Sequence, residues 1–192
     1  MFRIKQGDIM KNKTRNFFMA VMIVAVVLYG VCVINVNKKY PETKEKILLL
    51  NQPFEYQNVE ISVTDFWIMS EEDKQEYYGP EINHYGDCVG VNVRIIIENN
   101  TNREQKVDIT PLIFESGAWK NAIHYLAFTK LNAGNEKMSF NPRLGPGERM
   151  ELILSTFAAP IHMREKQWMD FLEREMYLVC SLYPEKVMVK LH

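Results

Sequence analysis

Hydrophobic and polar positions divide the chain into three regimes. The first is an unbroken apolar run from Phe17 to Ile34, FFMAVMIVAVVLYGVCVI, 18 residues without a charge. Asn35 and Val36 bring it to 20, and a helix of that length rises about 30 Å, the thickness of a bilayer's hydrocarbon core. A core helix of a soluble protein keeps a polar face, and this run has none. The second regime, 37–57, opens with NKKYPETKEK, which is charged and broken by Pro41, and reads as a solvated juxtamembrane stalk. The third, 58–192, is dominated by period-two alternation and reads as one folded domain.

Within that domain, Val59, Ile61 and Val63 alternate with Glu60, Ser62 and Thr64, a strand with one buried face. Phe66, Trp67 and Ile68 continue it, and the break in parity at Asp65 predicts a bulge. Ser70–Asp87 is acidic and punctuated by glycines, an exposed excursion in which Ser70 caps a short helical turn. Val89, Val91, Val93, Ile95 and Ile97 then form a β-branched stripe opposite Gly90, Asn92, Arg94 and Glu98, the pattern of a core strand. Further strands are expected over 106–115, kinked at Pro111, over 148–157 after the Gly145-Pro146-Gly147 turn, over 176–183 and over 187–191. Residues 119–130 fit strand and loop equally. Ile161, Trp168, Met169 and Leu172 recur at helical spacing and predict one helix over 161–174. About seven hairpin-linked strands with one inserted helix and no strand–helix rhythm predict an antiparallel β-sandwich.

Charge sets the orientation and narrows the partners. Arg3, Lys5, Lys11, Lys13 and Arg15 precede the apolar run against Asp8 alone, and Lys38, Lys39, Lys44 and Lys46 follow it. The five-to-four bias and the short leading tail favour a cytoplasmic N-terminus (1–16), a membrane-spanning signal-anchor (17–36) and an extracytoplasmic domain. A cleaved signal peptide has a shorter apolar region and a small-residue cleavage site. A lipoprotein requires a small residue before its cysteine, whereas Val31 precedes Cys32. Positions 1–36 hold five basic residues and one acidic residue of totals of 23 and 24, which leaves 18 basic and 23 acidic residues in 37–192, a net charge of −5. Such a domain is a poor partner for nucleic acid.

Motifs for catalysis are missing: HExxH, paired CxxC, G-x-S-x-G, Walker and G-x-G-x-x-G patterns do not occur. No enzymatic activity and no cofactor is expected. The histidines share no ligand spacing, and only an assembly in space of His84, Asp87 and His124 would offer a metal site. Glu71, Glu72, Asp73, Glu76 and Glu81 lack the ordered calcium-loop pattern. Cys88 and Cys180 form a candidate disulfide, which an exported domain permits. Its loop of about 92 residues would contribute about 4 kcal/mol in the chain-entropy model. Parity opposes it: Cys88 shares its side with Gly90 and Asn92, and Cys180 with Leu178 and Leu182.

The stretch VGVNVRIIIENNTNREQKVDITPLIFESGAW, with its long alternating strand, ENNTN turn and Ser116-Gly117 turn, resembles bacterial membrane-anchored immunoglobulin-like domains of unknown function, of the DUF4352 and DUF5028 type. The later LGPGERMELILSTF resembles their L-x-P-G-E turn and following strand. The resemblance implies an immunoglobulin-like sandwich tethered outside a cell membrane and supplies no site residues. The function expected is a single-pass binding module with an unidentified protein partner. Tyr77, Tyr78, His84, Tyr85, Trp119 and Tyr125 are its candidate loop aromatics. The alternative is an accessory subunit of a membrane transporter or sensor, acting through Tyr29, Gly30 and Cys32 of the spanning helix.

Overall fold

The computed structural model describes residues 6–40 and 43–192. They fall into two units, Met1–Glu42 and Thr43–His192. The first is helix α1, Gln6–Lys39. Its stretch Phe17–Lys39 is long and apolar enough to cross a membrane, and none of it is buried within the chain. Residues 1–5 of the expected tail lie outside the described residues, and from Gln6 onward the tail is helical.

The second unit is a mostly β sandwich, as the alternation predicts. In chain order it contains β1 (Lys44–Leu48), β2 (Phe54–Tyr56), β3 (Val59–Ile68), α2 (Glu71–Tyr78), a 3₁₀ turn (Pro80–Tyr85), β4 (Val89–Glu98), β5 (Gln105–Lys106), β6 (Ile113–Ser116), β7 (Trp119–Ala122) and α3 (Tyr125–Leu131). After these come β8 (Arg143–Leu144), β9 (Arg149–Ala158), a 3₁₀ turn (Pro160–His162), α4 (Glu165–Met169), a 3₁₀ turn (Phe171–Glu173), β10 (Tyr177–Ser181) and β11 (Glu185–Lys190). One sheet has the order β1-β11-β10-β6-β7, the other β2-β3-β4-β9, and β5 with β8 forms a separate ribbon.

The central pair follows from the stripe. Val91, Val93, Ile95 and Ile97 are completely buried and stand opposite Thr156, Leu154, Leu152 and Met150 of β9. Each such aliphatic side chain contributes about 1.5–3 kcal/mol on leaving water. Phe114, Leu178 and Val189 of the facing sheet close the same core. The register of β3 against β4 slips between Val63 and Asp65, where the parity breaks.

The free edge of β9 is sealed without another strand. Asn132 donates to the Ile153 carbonyl and accepts from the Ile153 amide, both at 2.8 Å. Asn121 and Asn135 donate to the Phe157 and Glu151 carbonyls at 3.0 and 3.1 Å, and the His124 amide reaches the Ser155 carbonyl at 2.7 Å. Side-chain amides thus occupy main-chain groups that would otherwise invite a foreign strand.

Four expectations need correction. The stalk does not extend over 37–57: α1 runs to Lys39, and β1 and β2 belong to the sandwich. β1 reads as solvated because Lys44, Glu45 and Lys46 are exposed on an edge strand, and it pairs parallel to β11, the one departure from antiparallel order among the described residues. The helix over 161–174 is α4 flanked by two 3₁₀ turns, with Ile161 and Met169 76% and 77% exposed, so its apolar spacing does not form a buried face. Three short helices, α2, α3 and α4, replace one inserted helix. Cys88 and Cys180 are free thiols. Cys88 packs with Met69, Tyr78 and Ile82 on the outside of the four-stranded sheet, and Cys180 lies in the core between the sheets.

Candidate functional site

The acidic excursion folds back as a cap on the outer face of the four-stranded sheet. Ser70 starts it, its Oγ accepting from the Asp73 amide at 3.2 Å, and Glu71, Glu72 and Asp73 follow in the first turn, where carboxylates complement the helix dipole. Gly79, at φ +83°, ends α2, and Pro80 opens the 3₁₀ turn. Lys74 is buried. Its ammonium donates to the Cys88 carbonyl and pairs with Glu71, so a charge under the cap keeps its partners. The cap needs a flat landing on the sheet, and Gly90 supplies it. A Cβ there would lie 2.9 Å from Met69 Cβ and 3.1 Å from Tyr78 Cε2.

Tyr78 is the anchor of the cap. Its ring lies over Gly90, and its hydroxyl donates to the Thr156 carbonyl and meets Ser155 Oγ at 2.6 Å. Burial pushes that hydroxyl's pKa well above the ordinary tyrosine value. Phe157 gathers the remaining rings: Tyr78 and Tyr85 both at 5.5 Å, His124 at 5.6 Å and His162 at 5.7 Å. His124 caps α3, its Nδ1 accepting from the Ala127 amide at 3.3 Å, and its ring meets Tyr78 edge-on at 4.9 Å. Burial lowers its pKa, which favours the neutral ring the cap requires. Lys130 ties α3 to α2 through the Glu76 carbonyl. Asn92 lies on the same face as Gly90, opposite Ser155, completely buried, and neither of its side-chain polar atoms has a hydrogen-bond partner.

Four of the six aromatic candidates therefore lie on the cap and a fifth, Tyr125, on the α3 tied to it, in three states of exposure. Tyr78 is buried and Tyr77 half-buried. His84 is exposed, its Nδ1 3.2 Å from the Glu81 carbonyl, and Tyr85 is 44% exposed. Tyr125 is 69% exposed and stacked on Phe140 at 5.9 Å, beside the exposed Leu126 that packs near Gly79. Trp119 is elsewhere, buried in β7 with its ring edge-on to Phe171 at 5.2 Å. Phe157 and Leu126 escape sequence reasoning, although Phe157 falls on the outward parity of β9, where a large apolar residue is a signal.

The arrangement suits holding and presenting surface. The Ser155 hydroxyl is bound to Tyr78, and His124 Nδ1 is occupied by its own helix. The two thiols of the sandwich are held in the protonated form: burial raises both pKa values, Cys180 to about 12. Among the described residues no three His, Cys, Asp or Glu side chains are grouped to hold a metal.

Neither a family model nor a curated protein matches the chain. Among solved structures it is similar to an uncharacterized β-sandwich protein from Clostridium difficile 630, at 12% identity over 79% of this chain and 97% of that one, with a TM-score of 0.46. It is also similar to a conserved hypothetical protein from Bacillus anthracis, at 18% identity over 72% of this chain and 94% of that one, TM-score 0.46. A third is the yjhA protein from Bacillus subtilis, at 7% identity over 76% of this chain and 99% of that one, TM-score 0.44.

Proposed function

We propose that the chain is a non-enzymatic, single-pass binding module, with a cytoplasmic N-terminus and an extracytoplasmic sandwich that recognises a protein partner through its helical cap. The observation that carries this reading is the exposed, pre-positioned pair of Tyr125 and Leu126. The Tyr125 ring is held against Phe140 while remaining 69% exposed. A rigid aromatic group already ordered before binding loses little entropy on contact. The membrane reading is supported by α1, whose apolar side chains Phe17, Met22 and Leu28 are 61–66% exposed.

We also assign the domain to the bacterial membrane-anchored immunoglobulin-like type named above. Support comes from the two stretches that carry the resemblance, which form one turn cluster. Asn99 Nδ2 donates to the carbonyls of Arg103, Leu144 and Gly145 at 2.8–2.9 Å, and its Oδ1 accepts from Thr101. The Gly147 amide donates to the Asn99 carbonyl at 2.8 Å, and Glu148 Oε2 accepts from the Gly145 amide at 2.9 Å. The ENNTN and L-x-P-G-E residues thus hold each other in place.

A photo-crosslinking residue placed at position 125 tests the function in intact cells. A discrete cross-linked product, lost with Tyr85→Ser and Leu126→Ser and not formed from exposed position 102, is expected. Identical products from positions 125 and 102 would overturn the reading.

A further inference from the structure

A second surface lies away from the cap, where two strand edges face one cleft. The cleft encloses about 520 Å³ and is lined by Glu55 and Tyr56 of β2, by Pro111, and by Ser181, Leu182 and Glu185 around the β10–β11 turn. That volume is in the range of ligand-holding clefts. One wall is firm. Tyr56 donates from its hydroxyl to the Asp108 carbonyl at 2.8 Å, and Gln57 both donates to that carbonyl and accepts from the Asp108 amide. The opposite wall is an interrupted ladder. β6 and β10 pair from Tyr177–Glu115 to Val179–Ile113 and stop. Continuing the register would set Ser181 against Pro111, which has no N–H, and the Leu112 amide is already turned to the Ile109 carbonyl at 3.1 Å. On the other side of β10 Ser181 stays paired with Val187 across a register slip, so only the β6-facing side of this end of the strand is a local edge inside the sheet. β2 is likewise the outermost strand of its own sheet.

The rim is apolar and acidic. Leu182 and Tyr183 are 57% and 80% exposed at the turn. Glu55 and Glu185 form no ion pair among the described residues, although Lys44 stands opposite Glu185 on β1. Two carboxylates without an ion pair, beside an exposed leucine and the end of the β6–β10 ladder, define a complementary occupant.

We infer that this cleft takes an extended peptide segment of a partner protein, added as a short strand at the Ser181 edge of β10. A basic side chain of that segment lies toward Glu55 and Glu185, and an apolar one lies against Leu182. Main-chain pairing supplies the affinity, and the alternating side chains supply the selectivity. The inference does not depend on the cap or on the function proposed for it.

The test titrates ¹⁵N-labelled full-length chain in micelles with a capped hexapeptide of alternating Lys and Val, and in parallel with one of alternating Glu and Val. Saturable amide shifts confined to 180–182 and 55–57, with at least tenfold weaker binding of the Glu/Val peptide, are expected. The Glu55→Lys/Glu185→Lys variant then inverts the preference, and Glu55→Gln alone, a milder change, weakens the Lys/Val peptide. Equal binding of the two peptides, an unaltered preference in the charge-reversed chain, or no saturable shift at 180–182 overturns the inference.

Discussion

Tyr78→Phe isolates the chemistry that holds the cap to the sheet. The ring over Gly90 is retained and only the hydroxyl is lost, with its hydrogen bonds to the Thr156 carbonyl and Ser155 Oγ. Ser155 and Thr156 are completely buried, so neither group finds water in its place. A buried polar group left unpaired costs about 1–3 kcal/mol, and relaxation of the Ser155 hydroxyl offsets part of the second loss. A destabilisation of about 1.5–3 kcal/mol follows. Urea unfolding of the full chain in micelles, followed by tryptophan fluorescence, reads it as a lower midpoint at unchanged slope. Hydrogen exchange gives the location: amides of 71–85 should lose protection before those of β4. A change below about 0.5 kcal/mol, the size of an ordinary surface substitution, would refute the reasoning. Uniform loss of protection across the sandwich would do the same.

Three further substitutions probe the same layer. Gly90→Ala places a Cβ 2.9 Å from Met69 Cβ and 3.1 Å from the Tyr78 ring, and should destabilise by about 1–3 kcal/mol in the same urea assay. Asn92→Leu replaces a completely buried amide that has no partner with an apolar group of similar shape, and should raise stability by about 1–3 kcal/mol; a lower urea midpoint would mean the amide has a function under the cap. His124 has its pKa depressed in the folded chain, so the unfolded chain binds the extra proton first. Stability present above about pH 6.5 therefore declines as the pH falls through and below that value, and His124→Asn, which keeps a capping acceptor without titrating, should flatten the decline.

Sequence and structure agree where one physical signal dominates. The β4 stripe, the Asp65 bulge and the Ser70 cap are each set by local pattern, and each is found. The edge elements were hidden for the converse reason. β1 buries only Leu48, so its neighbours Lys44–Lys46 carry the signature of a linker, and its place in the sheet depends on β11, far along the chain. Over 161–174 the helical spacing is misleading: Trp168 and Phe171 stack on each other, 5.7 Å apart, in a chain of short turns, and Ile161 and Met169 stay outside. The site was half legible. Aromatic residues in an acidic excursion marked the cap, but the sheet surface beneath it did not announce itself. Gly90, Asn92 and Ser155 read as the wet face of a strand until α2 and α3 cover them. Trp119, at a turn-like position, is core because Phe171 returns to meet it.

On the proposed function, α1 holds the sandwich outside a membrane. The direct measurement is labelling of single introduced cysteines in intact cells with a membrane-impermeant maleimide. The native thiols give a low background, since Cys88 and Cys180 are buried and Cys32 lies in the apolar stretch of α1. Asn102→Cys, at an exposed turn, should be labelled in intact, sedimentable cells, and Lys5→Cys only after permeabilisation. Labelling of Lys5→Cys but not Asn102→Cys, or recovery of the sandwich in the medium free of α1, would contradict this reading.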